Sequence, residues 1–346
     1  MIADFATLRI EGEVPPTDAD PAPPCPISEL PEELLVEILT YVGISDVASF
    51  VRLAQVCKRL AYLVATEDRI WRRICEGDEF GFAAMRYRYA CSLIGEPLSP
   101  LLPSSLEDEL GQLSLPTNPS MPLSLALTPK YPTYRETFHS RPRLRFNGLY
   151  ISTVNYTRPG ASSTNSLSWS SPVLIVTYYR YLRFYRDGSC ISLLTTAEPA
   201  DVVHYLSKAY LPPLATTGSR KERTESALPS AVMRDALRGR WRLSGDPYGT
   251  KQKVALPADT EAEGTTPEVE GDVHIETEGV TPKYLYKMQL ALTSTGKGTK
   301  NSKLAWKGYW SYNRLTDDWA EFGLKNDRGF WFSRVRSYGF GLAAGI

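Results

Sequence analysis

From Pro31 to Val42 the apolar residues Leu34, Leu35, Ile38, Leu39 and Val42 recur at helical spacing. Pro31 occupies a first-turn position, and Glu32 and Glu33 complement the positive end of the helix dipole. Gly43 offers an end, and Ser45 offers a cap for a second helix with Val47, Phe50, Val51, Ala54 and Val56 on its apolar face. Leu60, Leu63, Ile70, Trp71 and Ile74 mark a third helical stretch. Eight prolines between Gly95 and Pro132 then break any long helix, and from about residue 134 the pattern changes to alternation.

The alternating runs are 146–152, 173–195, 238–245, 283–294, 303–313, 319–326 and 330–338, rich in aromatic and β-branched residues and bounded by turn residues. In 283–294, Tyr284, Tyr286, Met288, Leu290 and Leu292 share one face and Leu285, Lys287, Gln289 and Ala291 the other. Asp187-Gly188 is a hairpin signal, and Asn326-Asp327-Arg328-Gly329 reads as a second one. Many antiparallel strands in succession predict a meander that closes into a barrel and so removes its edges. Gly148-Leu149-Tyr150, Gly239-Arg240-Trp241 and Gly308-Tyr309-Trp310 each set a glycine two residues before a large aromatic, as at a bend in a barrel wall. The chain is therefore α+β: a tail over 1–26, a three-helix module and following helix over 27–92, a Pro-rich linker over 93–133, and a mostly antiparallel, lipocalin-like β-barrel over 134–346. Polar inserts near 211–234 and 257–281 read as disordered loops; 257–281 holds eight acidic residues and no Lys or Arg.

Composition narrows the chemistry. Lys plus Arg and Asp plus Glu are equal at 39 each over 346 residues, so charge gives no reason to expect nucleic acid or an anionic membrane as partner. Five scattered cysteines without a C-x-x-C pair indicate neither a disulfide framework nor a zinc site, and fit a reducing compartment, the cytoplasm with the nucleus as a second possibility. The acidic start lacks a signal-peptide pattern, and no apolar run of about 18 residues offers a membrane span. With His139, His204 and His274 the only histidines, Cys190 better read as a core thiol, and no phosphate loop or H-E-x-x-H motif, we expect no catalytic residues, no metal and no cofactor. The run YYRYLRFYR interleaves Arg with Tyr, but alternation sends Tyr179, Tyr181, Arg183 and Tyr185 one way and Arg180, Leu182, Phe184 and Arg186 the other, which argues against a single nucleic-acid surface.

The order LPEELLVEIL, ISDV, LAQVCKRL, IWRRIC over about Ser28 to Glu76 resembles the F-box. The resemblance implies docking on the Skp adaptor, with cullin and RING subunits reached through it. Leu30, Pro31, Leu34, Leu35, Ile38 and Leu39 match positions that would face the adaptor, and Trp71 matches a late Trp of mixed core and interface role. RPRLRFNGLYISTVNYTRPG, YYRYLRFYRDGSCISLLTTAEP, RGRWRLS and FWFSRVRSY resemble the carboxy-terminal domain of the F-box only protein 9 family, which has fungal members. These likenesses imply a non-catalytic substrate-recognition subunit of a Skp/cullin/F-box ubiquitin ligase, its barrel binding target proteins. The alternatives are a small-molecule-binding F-box protein of lipocalin type and a cullin-independent, adaptor-bound protein of membrane recycling. Barrels of this size are either filled by side chains or hold one ligand. We expect one mouth, lined by Tyr181 and Trp310 with Arg183 or Arg334, to receive a peptide segment carrying a carboxylate or phosphate.

Overall fold

A computed structural model describes residues 10, 25–98, 125–159, 173–212, 231–245, 269–296 and 298–339. These fall into two compact units: residues 25–84 with 125–141, and residues 85–98 with 142–339. The expected tail and most of the expected linker and of the 211–234 insert lie outside the described residues.

The first unit holds α1 (Glu32–Ser45), α2 (Val47–Arg52), α3 (Lys58–Thr66), α4 (Asp68–Glu76) and α5 (Tyr134–Ser140). The cap of α2 is Asp46 rather than Ser45, its carboxylate accepting from the amides of Ala48 and Ser49 at 3.2 and 3.1 Å. The third helical stretch is two helices, because Glu67 leaves helical geometry between them and its carboxylate accepts from the Arg69 amide at 3.4 Å. Leu35, Leu39, Phe50, Leu63, Ile70, Trp71 and Ile74 form the core of this unit. Helix α5, which the sequence assigned to the β half, packs on α4 and adds Phe138 to that core. Thr133 starts it by accepting from the Glu136 amide at 3.2 Å.

The second unit holds β1 (Gly148–Pro159), β2 (Val173–Phe184), β3 (Ser189–Thr195), the short helix α6 (Pro199–Val202), β4 (Leu237–Leu243), β5 (Asp272–Glu278), β6 (Tyr284–Thr293), β7 (Lys303–Asn313), β8 (Asp318–Glu321) and β9 (Phe330–Arg334). The hydrogen-bonded order β6-β5-β4-β3-β2-β1-β9-β7 returns from β7 to β6, so eight antiparallel strands close a barrel, and β8 adds to one end of β7. Asp187-Gly188 turns the β2–β3 hairpin, with Gly188 at φ +92°. The Asn326–Gly329 segment is not a hairpin: the strands on either side of it, β8 and β9, pair with different stretches of β7 and not with each other. Residues 272–278 of the presumed acidic loop form β5. Val273, Ile275 and Thr277 there are buried and alternate, a signal that the surrounding acidic composition masks.

Pairing sets the faces. Met288, Leu290 and Leu292 of β6 lie opposite Tyr309, Trp306 and Leu304 of β7, and a bulge at Gln289/Leu290 accommodates one extra β7 residue. That extra residue is why Trp306 and Tyr309, three apart, share the inner face with their rings 5.6 Å apart. Gly239 permits close approach in the wall, since a Cβ there would fall 2.5 Å from the Glu276 carbonyl.

Candidate functional site

The two faces of α1 differ sharply in exposure. Leu35 and Leu39, 6% and 3% exposed, turn toward the core, and Gly43 lets α1 meet α4, where a Cβ would lie 2.9 Å from Cδ1 of Ile74. Leu34, Ile38 and Tyr41, at i, i+4 and i+7, are 51%, 46% and 64% exposed and form one apolar ridge. An ion pair from Glu32 to Arg59 ties the start of α1 to α3. Val51 and Val56 add exposed apolar area on the same unit. Of the seven residues matched to adaptor contacts, Pro31, Leu34 and Ile38 are on the surface, Leu30 is half-buried, and Leu35, Leu39 and Trp71 are core. The Trp71 indole N–H donates to the Val64 carbonyl at 2.7 Å, and its ring lies 5.4 Å from Phe50 and 5.8 Å from Phe138. Trp71 therefore positions helices and offers no surface of its own.

Tyr181, Arg183, Trp310 and Arg334 do not converge on a mouth. Tyr181 and Arg183 point out of the barrel and are buried beneath residues 199–211 and 335–338, in an outer core with Ile191, Leu193, Val202, Leu206, Val335 and Tyr338. The Arg183 guanidinium donates to the Leu206 carbonyl at 2.5 Å and lies 3.5 Å from the centre of the Tyr338 ring. Burial pushes the Tyr338 phenol up to about 12, against the opposing pull of Arg183. The Tyr181 hydroxyl donates to the Ala197 carbonyl at 2.9 Å. Trp310 shares the outer face with Lys287 and folds its ring over Gly308, while Arg334 is exposed at the end of β9. The alternation read from the sequence was correct; the side of β2 that faces inward is the other one.

That inner side carries Arg180. Its side chain is 11% exposed, and its guanidinium stacks over Trp306 at 5.2 Å and Tyr309 at 4.9 Å. Its nearest anion is the Asp327 carboxylate, 3.8 Å from Nη2. Tyr309 lies 4.4 Å from Phe322, with Tyr286 6.0 Å from each. Burial raises the Tyr309 phenol above its ordinary range, with Arg180 pulling the other way. Beyond this cluster Tyr156, Tyr178, Leu194 and Phe322 are 54%, 38%, 44% and 39% exposed. At the opposite end Tyr150, Phe184, Trp241, Leu290, Leu304 and Phe330 are all 0% exposed. The Trp241 indole N–H donates to the Tyr185 carbonyl at 2.9 Å, and its ring meets Phe184 at 5.9 Å. Among the described residues the lumen is thus plugged at one end and ringed by exposed aromatic and apolar side chains at the other.

The open end coincides with thinner strand pairing. β9 pairs β1 only over Gly148–Ile151, and Val154 beyond it has a single bridge, to Asp327. Among the described residues no group of His, Cys, Asp and Glu is placed to hold a metal ion, and no helix is long and apolar enough to cross a membrane.

Residues 27–77 match the family model described as F-box-like, and residues 126–242 match that of the F-box only protein C-terminal region. The chain is 51% identical over 72 residues to the F-box protein HRT3 of Saccharomyces cerevisiae, which is 21% of each chain. It is 30% identical over 206 residues to the F-box protein pof7 of Schizosaccharomyces pombe, covering 60% of this chain and 45% of that one. It thus spans less than half the length of either relative. No solved structure matches.

Proposed function

We propose that this chain, which joins an F-box-like domain to an F-box only protein C-terminal region, is the substrate-recognition subunit of a Skp/cullin/F-box ubiquitin ligase. The observation that carries this reading is the ridge of Leu34, Ile38 and Tyr41, left exposed on a helix whose opposite face is fully packed. A soluble unit gains nothing from exposing three large side chains in a row unless a partner covers them. Covering the exposed half of each contributes about 1 kcal/mol, which together helps to anchor an adaptor. Leu35, Leu39 and Trp71 serve by fixing the helix that presents the ridge, and Leu30 and Pro31 by setting its entry.

The barrel then holds the protein to be marked. No bond is made or broken by this chain; its contribution is proximity, keeping a lysine of the bound protein near the ubiquitin-charged enzyme brought by cullin and RING subunits and so raising the effective concentration. We place this work in the cytoplasm, with the nucleus as a second compartment. Co-expression of the full chain with a Skp adaptor and a cullin tests the reading. A stable ternary complex is expected, and a chain that captures neither protein would overturn it. Capture of adaptor without cullin would instead favour a ligase-independent role.

A further inference from the structure

Arg180 is a cation held inside the barrel whose hydrogen-bonding capacity is only partly used: its guanidinium reaches the Tyr309 phenol. Its Nε is buried and has no acceptor, and Asp327 stands at 3.8 Å from Nη2, beyond hydrogen-bond length. The buried Nε–H left unpaired carries a desolvation cost that an arriving acceptor relieves. The same lumen holds a second unused group: Thr277, 0% exposed, pairs with Tyr286 on the inner face, and its Oγ1 has no partner. Thr277 lies beside Gly239, on the wall between the two ends, whereas Arg180 stacks with Trp306 and Tyr309 toward the end where Tyr156, Tyr178 and Phe322 are exposed; the plug around Trp241 closes the other end. A chain cannot thread through such a hollow. It can only lower an end or a side chain into it.

We propose that the open end of the barrel binds a carboxylate of a substrate peptide, with the Arg180 guanidinium as its anchor. The inference rests on the receptor reading above and names the chemistry that the receptor reads. The fork of Arg180 offers paired N–H donors to a carboxylate, and the rings of Trp306 and Tyr309 that flank it hold the guanidinium plane in place. Residues next to the carboxylate lie against Tyr178, Leu194 and Phe322, so apolar neighbours are favoured. The carboxylate comes either from a chain terminus or from an Asp or Glu side chain.

The test uses the full chain and fluorescein-labelled short peptides with Leu or Phe beside the acid, each made as the free acid and as the C-terminal amide, with and without an internal Glu. Fluorescence anisotropy is expected to show binding that weakens at least tenfold in Arg180→Gln, is partly kept in Arg180→Lys, and is unchanged in Arg334→Gln. Binding of free acids alone identifies the chain terminus as the source; binding of amides that contain Glu identifies the side chain. Thermal melts establish that each variant is folded, and if Arg180→Gln is not, Arg180→Lys and Phe322→Ala carry the comparison. No binding by the intact chain, equal binding by a folded Arg180 variant, or binding of phosphorylated peptides only would overturn the proposal. Adaptor capture by the same protein preparation is measured in parallel, so loss of peptide binding is not confused with failure of the receptor reading.

Discussion

Both units leave apolar surface uncovered, but they do so in opposite shapes. On the helical unit the exposed side chains stand in a convex row on α1, directly behind which Leu35 and Leu39 are packed. In the barrel they ring a hollow, with Arg180 below and a solid aromatic plug beneath that. A ridge fits into a groove on a folded partner, whereas a hollow admits a chain end or a side chain. The difference teaches that exposure alone does not specify a partner; the shape of the packed layer behind the exposed residues does.

The largest effect comes from confusing the two faces of α1. Leu39→Asp places an unpaired carboxylate in the helical core and is expected to unfold that unit, with a loss of several kcal/mol read by urea denaturation. Leu34→Asp, about 140° away round the same helix and on the ridge, is expected to stay within about 0.5 kcal/mol of the parent. Equal losses would erase the distinction between ridge and core.

The barrel supplies the next contrast. Trp241→Ala removes the centre of the plug and a buried hydrogen bond, and should cost about 3–5 kcal/mol. Tyr156→Ala, at the open rim, should change stability by less than about 0.5 kcal/mol. A rim substitution as costly as the plug would mean that the open end is structural.

A smaller effect is set by pH. Burial pushes the Tyr150 phenol up to about 12, partly offset by the hydrogen bond that it accepts from the Arg145 amide. A phenol with a raised native pKa stabilises the fold fully below its unfolded value of about 10, and that contribution is lost as pH rises from there through the native value. Stability should therefore fall between about pH 10 and 12, less steeply in Tyr150→Phe. An identical alkaline slope in the variant would remove Tyr150 from the plug's account.

Much of this was readable before any coordinates. Helical spacing marked α1, alternation marked most strands, and the β6 residues from Tyr284 to Leu292 share the face that the pattern assigned them. Composition misled at β5, where acidic neighbours hid a buried alternating strand, and at Asn326–Gly329, where turn chemistry reports a turn but not which strands it joins. The ridge and core on α1 could not be separated by periodicity, because Leu34, Leu35, Val36, Ile38, Leu39, Tyr41 and Val42 together exceed one face. Arg183 was preferred to Arg180 because alternation separates two faces without saying which is inside. The bulge that brings Trp306 and Tyr309 together lies beside Gly308, one of the glycines that mark bends, but a glycine does not tell which aromatics the bend sets on one face.

The most direct measurement is the affinity of purified Skp adaptor for the full chain and for the double variant Leu34→Asp, Ile38→Asp, with folding checked by thermal melting. The account predicts tight binding by the parent and a loss of at least a hundredfold in a variant that melts at the parent's temperature. Undiminished binding by that folded variant would contradict it, and would show that the ridge is not where the partner docks.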